Sequence, residues 1–236
     1  MSGPACPAAI GIVLAGGAAR RMQPPPRQEP LPPTRKEWLV LGGRTCLARV
    51  VDAVAAVAGR TLVVAAPLRP LPPLGPAVEV VHDSEPGSGP LAALLDGLRA
   101  AGPPAAAPVF VASCDLPLLR PDVVRLLVDR AAATGALWTV PLFAGHPQVL
   151  CSVLRPALAA PIAAWLAAGR RDPRGLLAEI GRDAAARVDF VPGAEFAAVD
   201  PALESFRDVD TPADLAALER QLTYGDRAGG AYTPPP

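Results

Sequence analysis

Short apolar runs alternate with segments whose apolar residues recur at helical spacing along most of this chain. The runs predict strands at 9–14, 61–66, 77–83, 108–113, 136–143, 187–191 and 205–209. The helical spacing predicts helices at 45–57, 91–101, 122–133, 156–168, 173–180 and 211–222. Strands and helices that alternate in this order predict an α/β fold with three layers, in which a mostly parallel sheet carries helices on both faces.

The last predicted helix has a clear start signal. Thr211 is the expected N-cap, Pro212 the first helical residue, and Asp214 the third, as in a variant of the capping box.

Two segments interrupt the alternation. Residues 23–35 are rich in proline and predict an inserted loop, and residues 223–236 end in glycines and prolines and predict a disordered tail. Residues 1–222 are predicted to form a single domain that contains the insert.

Composition excludes several classes of protein. A chain of 236 residues that is 51% hydrophobic with a formal net charge of zero has a sizeable core and no basic surface for nucleic acid. No apolar run approaches the length of a membrane span, and the first arginines follow the first apolar run, which is the wrong order for a signal peptide. The four cysteines form no CxxC pair, so we expect no structural zinc site and a cytoplasmic protein with free thiols.

The first predicted strand ends in the loop LAGGAARRM, residues 14–22. The spacing fits neither GxGxxG nor a Walker A loop. Gly16 and Gly17 nevertheless allow backbone amides to approach an anion, and Arg20 and Arg21 are suited to neutralising phosphate charge. A tight turn beside solvated arginines explains the same residues equally well, so the loop alone leaves both interpretations open.

Acidic residues follow two other predicted strands. Asp115 comes directly after an apolar strand, at the sheet edge where a magnesium ion with phosphate ligands is expected in such folds. A turn cap is the alternative for Asp115, and the nearby glycine loop favours the metal. Asp83 also ends a strand, and Gly87, Gly89 and Pro90 shape the turn into the next helix. Taken alone, that segment is an ordinary strand-to-helix connection.

Six segments occur in the order that molybdenum cofactor guanylyltransferases show, and the chain resembles this family of nucleotidyltransferases over roughly residues 8–222. The segments are LAGGAARRM, RKEWLVLGGRTCLARV, GSGPLAALLDGL, SCDLPLL, GHPQVLCSVLRP and FRDVDTPADL. The resemblance implies a Rossmann-like nucleotidyltransferase fold, with Mg²⁺ as cofactor. It implies transfer of GMP from GTP to the terminal phosphate of molybdopterin, with release of pyrophosphate. The implied partners are molybdoenzymes or other cofactor-synthesis proteins. The resemblance implies no nucleic-acid partner and no membrane partner.

The resemblance also assigns roles to the residues that match the motifs. The implied nucleotide-binding residues are Leu14, Ala15, Gly16, Gly17, Lys36, Asp83, Gly89, Pro90 and Asp115. The implied catalytic residues are Arg21, Lys36 and Asp115, and the implied magnesium ligands are Asp115 and Asp210. The segment GHPQVLCSVLRP is expected on the pterin side of the site.

The chain departs from the family's first motif, LAGGxSxRMGxDK. Gln23 replaces the glycine after Met22, Arg35 replaces the aspartate, and residues 23–35 separate Met22 from Lys36. We interpret the insert as a lid or spacer that still delivers Lys36 to the triphosphate. Lys36 is the only lysine among 22 basic residues, which favours a specific role for it.

Further departures replace asparagine. Ala65 lies where family members can carry a nucleotide-binding asparagine, and Asp208 and Asp210 stand in the motif NxNTPxDL. The chain contains no asparagine at all, so compositional drift accounts for the two aspartates.

Other functions stay open at this point. A CTP-using molybdopterin cytidylyltransferase, a phospholactate guanylyltransferase and a non-enzymatic nucleotide-binding relative fit the same pattern. Gly16 and Gly17 favour GTP, because this chain has the sequence LAGG at residues 14–17 and the cytidylyltransferase relatives have LAAG-like sequences there.

Overall fold

The structure, a computed structural model, describes residues 9–16, 35–102, 107–183 and 187–228. The strands are β1 Ile10–Ala15, β2 Val40–Leu41, β3 Arg44–Thr45, β4 Arg60–Ala65, β5 Val78–His82, β6 Val109–Ser113, β7 Trp138–Phe143, β8 His146–Pro147, β9 Cys151–Leu154 and β10 Val188–Pro192. The α-helices are α1 Cys46–Ala55, α2 Pro90–Ala101, α3 Pro121–Thr134, α4 Ala159–Ala167, α5 Pro173–Ile180 and α6 Pro212–Ala228.

An eight-stranded sheet forms the centre of the described part, in the order β10-β7-β9-β6-β1-β4-β5, with β8 paired to β7. Strands β6, β1, β4 and β5 are parallel neighbours, so their carboxyl ends meet at one edge. Strand β9 runs antiparallel to both β6 and β7. The predicted three-layer, mostly parallel α/β fold is confirmed.

Side chains alternate between two helical layers along the central strands. In β1, Val13 points to the side of α1 and α3, and Ile12 points to the side of α2, α4 and α5. Both are fully buried, as a parallel strand covered on two faces requires.

A third, smaller cluster attaches the last helix. Leu41 of β2 packs with Val209 and with Leu218 of α6. This packing brings the segment before α6 next to the segment that carries Lys36. None of the helices in the described ranges is both long and apolar enough to cross a bilayer.

The start of α6 follows the predicted capping box. The Thr211 hydroxyl accepts a hydrogen bond from the Asp214 amide at 3.2 Å, and the Asp214 carboxylate accepts one from the Thr211 amide at 2.7 Å. Two of the amides at the start of the helix thereby gain partners.

Several predicted boundaries are wrong. Residues 205–209 form no strand, since a 3-10 helix at Glu204–Phe206 is followed by non-strand chain. Helix α6 continues through 223–228, which the sequence predicts as disordered, and residues 229–236 lie outside the described ranges. The predicted helix 156–168 begins as a 3-10 turn, Pro156–Leu158, before α4. The pairing of β2 with β3, and strands β8 and β9, were not predicted.

Candidate active site

A cleft of about 620 Å³ opens at the carboxyl ends of β6, β1, β4 and β5. Its described lining is Leu14, Gly16, Val64, Ala66, Arg69, Asp83, Pro86, Gly87, Gly89, Pro90, Ala93, Ser113, Asp115 and Leu150. This is the edge where ligands bind in open α/β sheets.

Most of the predicted nucleotide-binding residues in the described ranges line this cleft, namely Leu14, Gly16, Asp83, Gly89, Pro90 and Asp115. The Ala15 side chain packs on the opposite face of the sheet with the core beside α1, so only its backbone is available to a ligand. Gly17, Arg21 and the insert at 23–34 lie outside the described residues. The roles of all these residues stay predictions.

Lys36 joins two acidic residues that are distant in sequence. It begins a 3-10 helix, Lys36–Trp38, and its Nζ donates a hydrogen bond to Asp115 Oδ2 at 2.8 Å and another to Asp210 Oδ1. The backbone also ties the two acids together, because the Val209 amide donates to the Asp115 carbonyl at 2.9 Å. The predicted catalytic lysine and both predicted metal ligands therefore lie in one cluster.

The charges of this cluster shift two pKa values. Burial lowers the pKa of Lys36, but the charges of Asp115 and Asp210 and their hydrogen bonds outweigh it and raise the pKa overall. Partial burial raises the pKa of Asp208, and the charges of Asp210 and Asp115 raise it further. Three carboxylates and one ammonium leave the cluster with an excess of negative charge.

The donor chemistry of this cluster fits a magnesium ion. Asp115 and Asp210 offer hard carboxylate oxygens, and Mg²⁺ is commonly held by one or two carboxylates together with substrate phosphates. Within the described ranges, no group of three or more His, Cys, Asp or Glu residues makes a metal site by itself. The residues therefore fit a metal that arrives with phosphate ligands and not a metal enclosed by protein alone.

The start of α2 forms one wall of the cleft. Gly89 is its N-cap with φ of 94°, a conformation that favours glycine, and Pro90 is its first residue. The side chain of Asp96 in α2 accepts a hydrogen bond from the Ser84 amide at 2.7 Å, which fixes the chain beside Asp83. Burial, with the nearby charges of Asp96 and Glu85, raises the pKa of Asp83, although a hydrogen bond from the Glu85 amide opposes this.

An ion pair at the cleft was not predicted from the sequence. Arg69 lines the cleft, and its guanidinium donates to both oxygens of Glu37, at 2.6 Å from Nε and 3.1 Å from Nη2. The Glu37 side chain is 1% exposed. The two residues are 32 positions apart and Arg69 belongs to no motif, so no signal in a single sequence marks the pair.

A second cleft of about 350 Å³ adjoins the first. Residues 147–151 line it, together with Asp172, Arg174, Phe206 and Asp208. Pro90, Ser113, Asp115 and Leu150 line both clefts. The segment predicted on the pterin side thus lies across Asp115 from the first cleft.

The cysteines near the site are buried thiols. Burial raises the pKa of Cys46 to about 11 and that of Cys114 well above the ordinary value, so neither carries a thiolate at neutral pH. Cys114 is a small core residue beside Asp115.

A family model described as MobA-like NTP transferase domain matches residues 11–185. A protein of Mycobacterium avium named "Probable molybdenum cofactor guanylyltransferase" is 35% identical over 209 residues, which cover 88% of this chain and 93% of that protein. A Mycobacterium tuberculosis protein of the same name is 36% identical over 171 residues, 71% of this chain and 78% of that one.

Solved structures show the same fold. Molybdopterin-guanine dinucleotide biosynthesis protein A from Archaeoglobus fulgidus aligns with a TM-score of 0.71 and 20% identity, covering 91% of this chain and 99% of that one. A 2-C-methyl-D-erythritol 4-phosphate cytidylyltransferase from Thermus thermophilus aligns with a TM-score of 0.63 and 20% identity, over 91% and 99% of the two chains.

Proposed function

Since the chain belongs to the MobA-like NTP transferase family, we propose that it transfers GMP from GTP to the terminal phosphate of molybdopterin and releases pyrophosphate. Its relatives of 35–36% identity bear the name "Probable molybdenum cofactor guanylyltransferase", which supports both substrates. The product is the guanine dinucleotide form of the cofactor, and molybdoenzymes or other cofactor-synthesis proteins are its proposed recipients. We place the reaction in the cytoplasm, where buried thiols such as Cys46 and Cys114 stay reduced.

The observation that carries the proposal is the meeting of two clefts at Asp115. The larger cleft has room for a nucleotide, and its carboxyl-end position suits phosphates at Gly16. The smaller cleft is left for the acceptor. Because Asp115 lines both, the acceptor phosphate and the α-phosphorus of GTP are brought together beside Lys36.

The reaction exchanges one bond for another. An oxygen of the acceptor phosphate forms a bond to the α-phosphorus of GTP, the bond from that phosphorus to the bridging oxygen of the β-phosphate breaks, and pyrophosphate leaves with the electron pair. A phosphate monoester has its second pKa near about 6, so the attacking group is largely a dianion at pH 7 and needs no general base.

Alignment and charge neutralisation then provide the catalysis. Lys36 is protonated at neutral pH, because its pKa is raised, and its ammonium offers charge to the reacting phosphates. Asp115 and Asp210 would hold Mg²⁺, which draws phosphate oxygens together and lowers their mutual repulsion. The Gly16 backbone at the end of β1 lies on the first cleft and suits contact with the triphosphate.

The acceptor side presents both polar and apolar groups. Gln148 and Arg174 offer hydrogen-bond donors, and Val149, Leu150 and Phe206 offer apolar surface. This mixture suits a flat, polar ring system that carries a phosphate.

Thermal unfolding with added nucleotide tests the proposal. A ligand at 100 times its dissociation constant stabilises the folded state by about 2.7 kcal/mol, or roughly 5–10 °C in Tm for a chain of this size. We expect GTP with Mg²⁺ to raise Tm by this amount and CTP to raise it far less. Equal protection by GTP and CTP would contradict the guanylyl assignment.

Asp115→Asn tests the role of the carboxylate that lines both clefts. The variant should fold with a Tm within a few degrees of wild type and lose turnover. An Asp115→Asn variant that does not fold would make Asp115 structural.

A further inference from the structure

We propose that Arg69 reads the guanine base, with the buried carboxylate of Glu37 holding its guanidinium in place. This inference rests on the function proposed above. It adds a specificity-determining residue that no motif of the sequence contains.

Position along the sheet edge places Arg69 at the nucleoside end of the cleft. The order of strands at this edge is β6, β1, β4, β5, so Asp115, Gly16, Arg69 and Asp83 follow one another across it. Phosphates belong beside Gly16 and Asp115, where the Lys36 cluster lies. The base must then extend toward β4 and β5.

The far end of the cleft has the surface that a purine needs. Val64, Ala66, Pro86 and Ala93 offer apolar contact there. Arg69 and Asp83 are the charged side chains at this end, and Arg69 is the only cation in the described lining of the cleft.

Glu37 occupies one edge of the Arg69 guanidinium and leaves the other. Nε and Nη2 donate to Glu37, and Nη1 has no hydrogen-bond partner among the described residues. The end formed by Nη1 and the second N–H of Nη2 is therefore a free pair of parallel donors. The Arg69 side chain is 19% exposed and lines the cleft, and we infer that this end of it faces the ligand.

Two further contacts fix the pair in place. The Arg69 amide donates to the Ala66 carbonyl at 3.2 Å, which closes a turn, and Trp38 Nε1 donates to the Pro70 carbonyl at 3.1 Å. The segment that starts at Lys36 is thereby attached to the loop after β4. A guanidinium held at this many points loses little entropy when it binds a ligand.

Guanine matches the free donors. It displays two adjacent acceptors, O6 and N7, to which arginine donates as a fork, and its N1 and N2 groups donate to a carboxylate such as Asp83. Cytosine also has two neighbouring acceptors, O2 and N3, but it lacks the adjacent donors, N1 and N2, that guanine offers to a carboxylate such as Asp83. Arg69 and Asp83 together therefore favour GTP over CTP.

The first experiment measures binding to the wild-type protein with Mg²⁺ and without acceptor. The dissociation constants of GTP, 7-deaza-GTP and CTP are compared by isothermal titration calorimetry. The 7-deaza analogue differs from GTP only by loss of the N7 acceptor, so we expect it to bind roughly tenfold more weakly, within the range for a bidentate arginine–guanine contact.

The second experiment removes the pair. Glu37→Met with Arg69→Met replaces both partners, so that no unpaired charge stays buried. We expect GTP and 7-deaza-GTP to bind this double variant equally, with GTP weakened at least tenfold and CTP changed less than twofold. The control is Arg60→Gln with Glu79→Gln, which removes another bidentate pair, at 2.7 Å for both contacts, outside the lining of the cleft. The control should keep the wild-type ratio of the dissociation constants of GTP and 7-deaza-GTP.

Every outcome decides the matter. Equal affinity of wild type for GTP and 7-deaza-GTP overturns the role of Arg69 alone, whereas absence of any GTP binding overturns the proposed function as well. Equal weakening of all three nucleotides in the double variant assigns Arg69 to phosphate or ribose and overturns base reading. If the double variant does not fold, Arg69→Lys keeps the charge opposite Glu37 without the fork and should lose the same discrimination.

Discussion

Lys36 contacts two carboxylates, Asp115 and Asp210, and its charge acts on a third, Asp208. It neutralises part of the charge on Asp115 and Asp210, which it contacts, and it lowers the pKa of Asp208 against the larger effects that raise it. Removing or enlarging the cation should therefore change both the electrostatics of the cluster and the contact with phosphate.

Lys36→Ala is expected to lower turnover at least 100-fold, the loss typical when one donor to a transition-state charge is removed. Lys36→Arg should also lose turnover, to a smaller extent, because the guanidinium is larger and its charge more diffuse. Steady-state pyrophosphate release and Tm measured on the same samples check this. Arg182→Ala, which removes an exposed ion pair with Glu179, is the control and should turn over normally. A Lys36→Ala variant with the wild-type rate would falsify the role of Lys36.

The raised pKa of Asp208 predicts that replacing this residue by asparagine stabilises the folded protein at neutral pH. Its pKa is raised in the fold, so the folded protein holds this proton more tightly than the unfolded chain, and ionisation above about pH 4 opposes folding. Asp208→Asn should therefore raise Tm at pH 7, by no more than about 2 °C because solvent screens the charge of this partly exposed side chain. The gain should vanish at about pH 3, where Asp208 is protonated in both states.

Asp214 is the matched case with the opposite sign. Hydrogen bonds from the Thr211 side chain and backbone lower its pKa, so its contribution to stability is present above about pH 4 and lost as the pH falls through the folded value. Asp214→Asn should lower Tm at pH 7, and the difference should shrink on acidification. Calorimetric scans of both variants from pH 3 to pH 8 measure these changes in Tm. If Asp208→Asn and Asp214→Asn change Tm at pH 7 in the same direction, the opposite pKa shifts of the two residues are contradicted.

Among the elements, long apolar strands were predictable and short ones were not. β1 and β6 are uninterrupted apolar runs buried on both faces, and the sequence places them correctly. β9 has four residues and lies between β6 and β7. Its antiparallel direction depends on how β7 returns to the sheet, and this is a tertiary property that the periodicity of Cys151–Leu154 does not contain.

The turn into α2 offers an element-level test. Gly89 has φ of 94° at a wall of the cleft, and alanine there costs of order 1–3 kcal/mol in backbone strain. Gly89→Ala should lower Tm and also weaken GTP binding, because the start of α2 shifts. Gly135→Ala is the matched control, since Gly135 ends α3 with φ of 64° and does not line either cleft. It should lower Tm and leave the GTP dissociation constant unchanged; equal binding by both variants would remove the α2 turn from the nucleotide site.

At the scale of the whole molecule, the sequence predicts those residues of the site whose chemistry allows few replacements. Asp115 follows a buried strand, and Lys36 is the only lysine of the chain, so both were identifiable before the fold was known. The hydrogen bond from Lys36 to Asp210 depends on the packing of α6 against β2, which no local pattern shows. Glu37 and Arg69 could not be predicted at all, because their pairing depends on the path of the loop after β4.

In the proposed reaction, nucleotide and acceptor meet at Asp115, and a bond from the acceptor phosphate to the α-phosphorus of GTP replaces the bond to pyrophosphate. The most direct measurement is pyrophosphate release by the protein with Mg²⁺, comparing GTP with CTP and molybdopterin present with molybdopterin absent. We predict release only when GTP and molybdopterin are both present, with one pyrophosphate formed for each molecule of dinucleotide cofactor. Equal release with CTP, or no release under any of the four conditions, would contradict the claim.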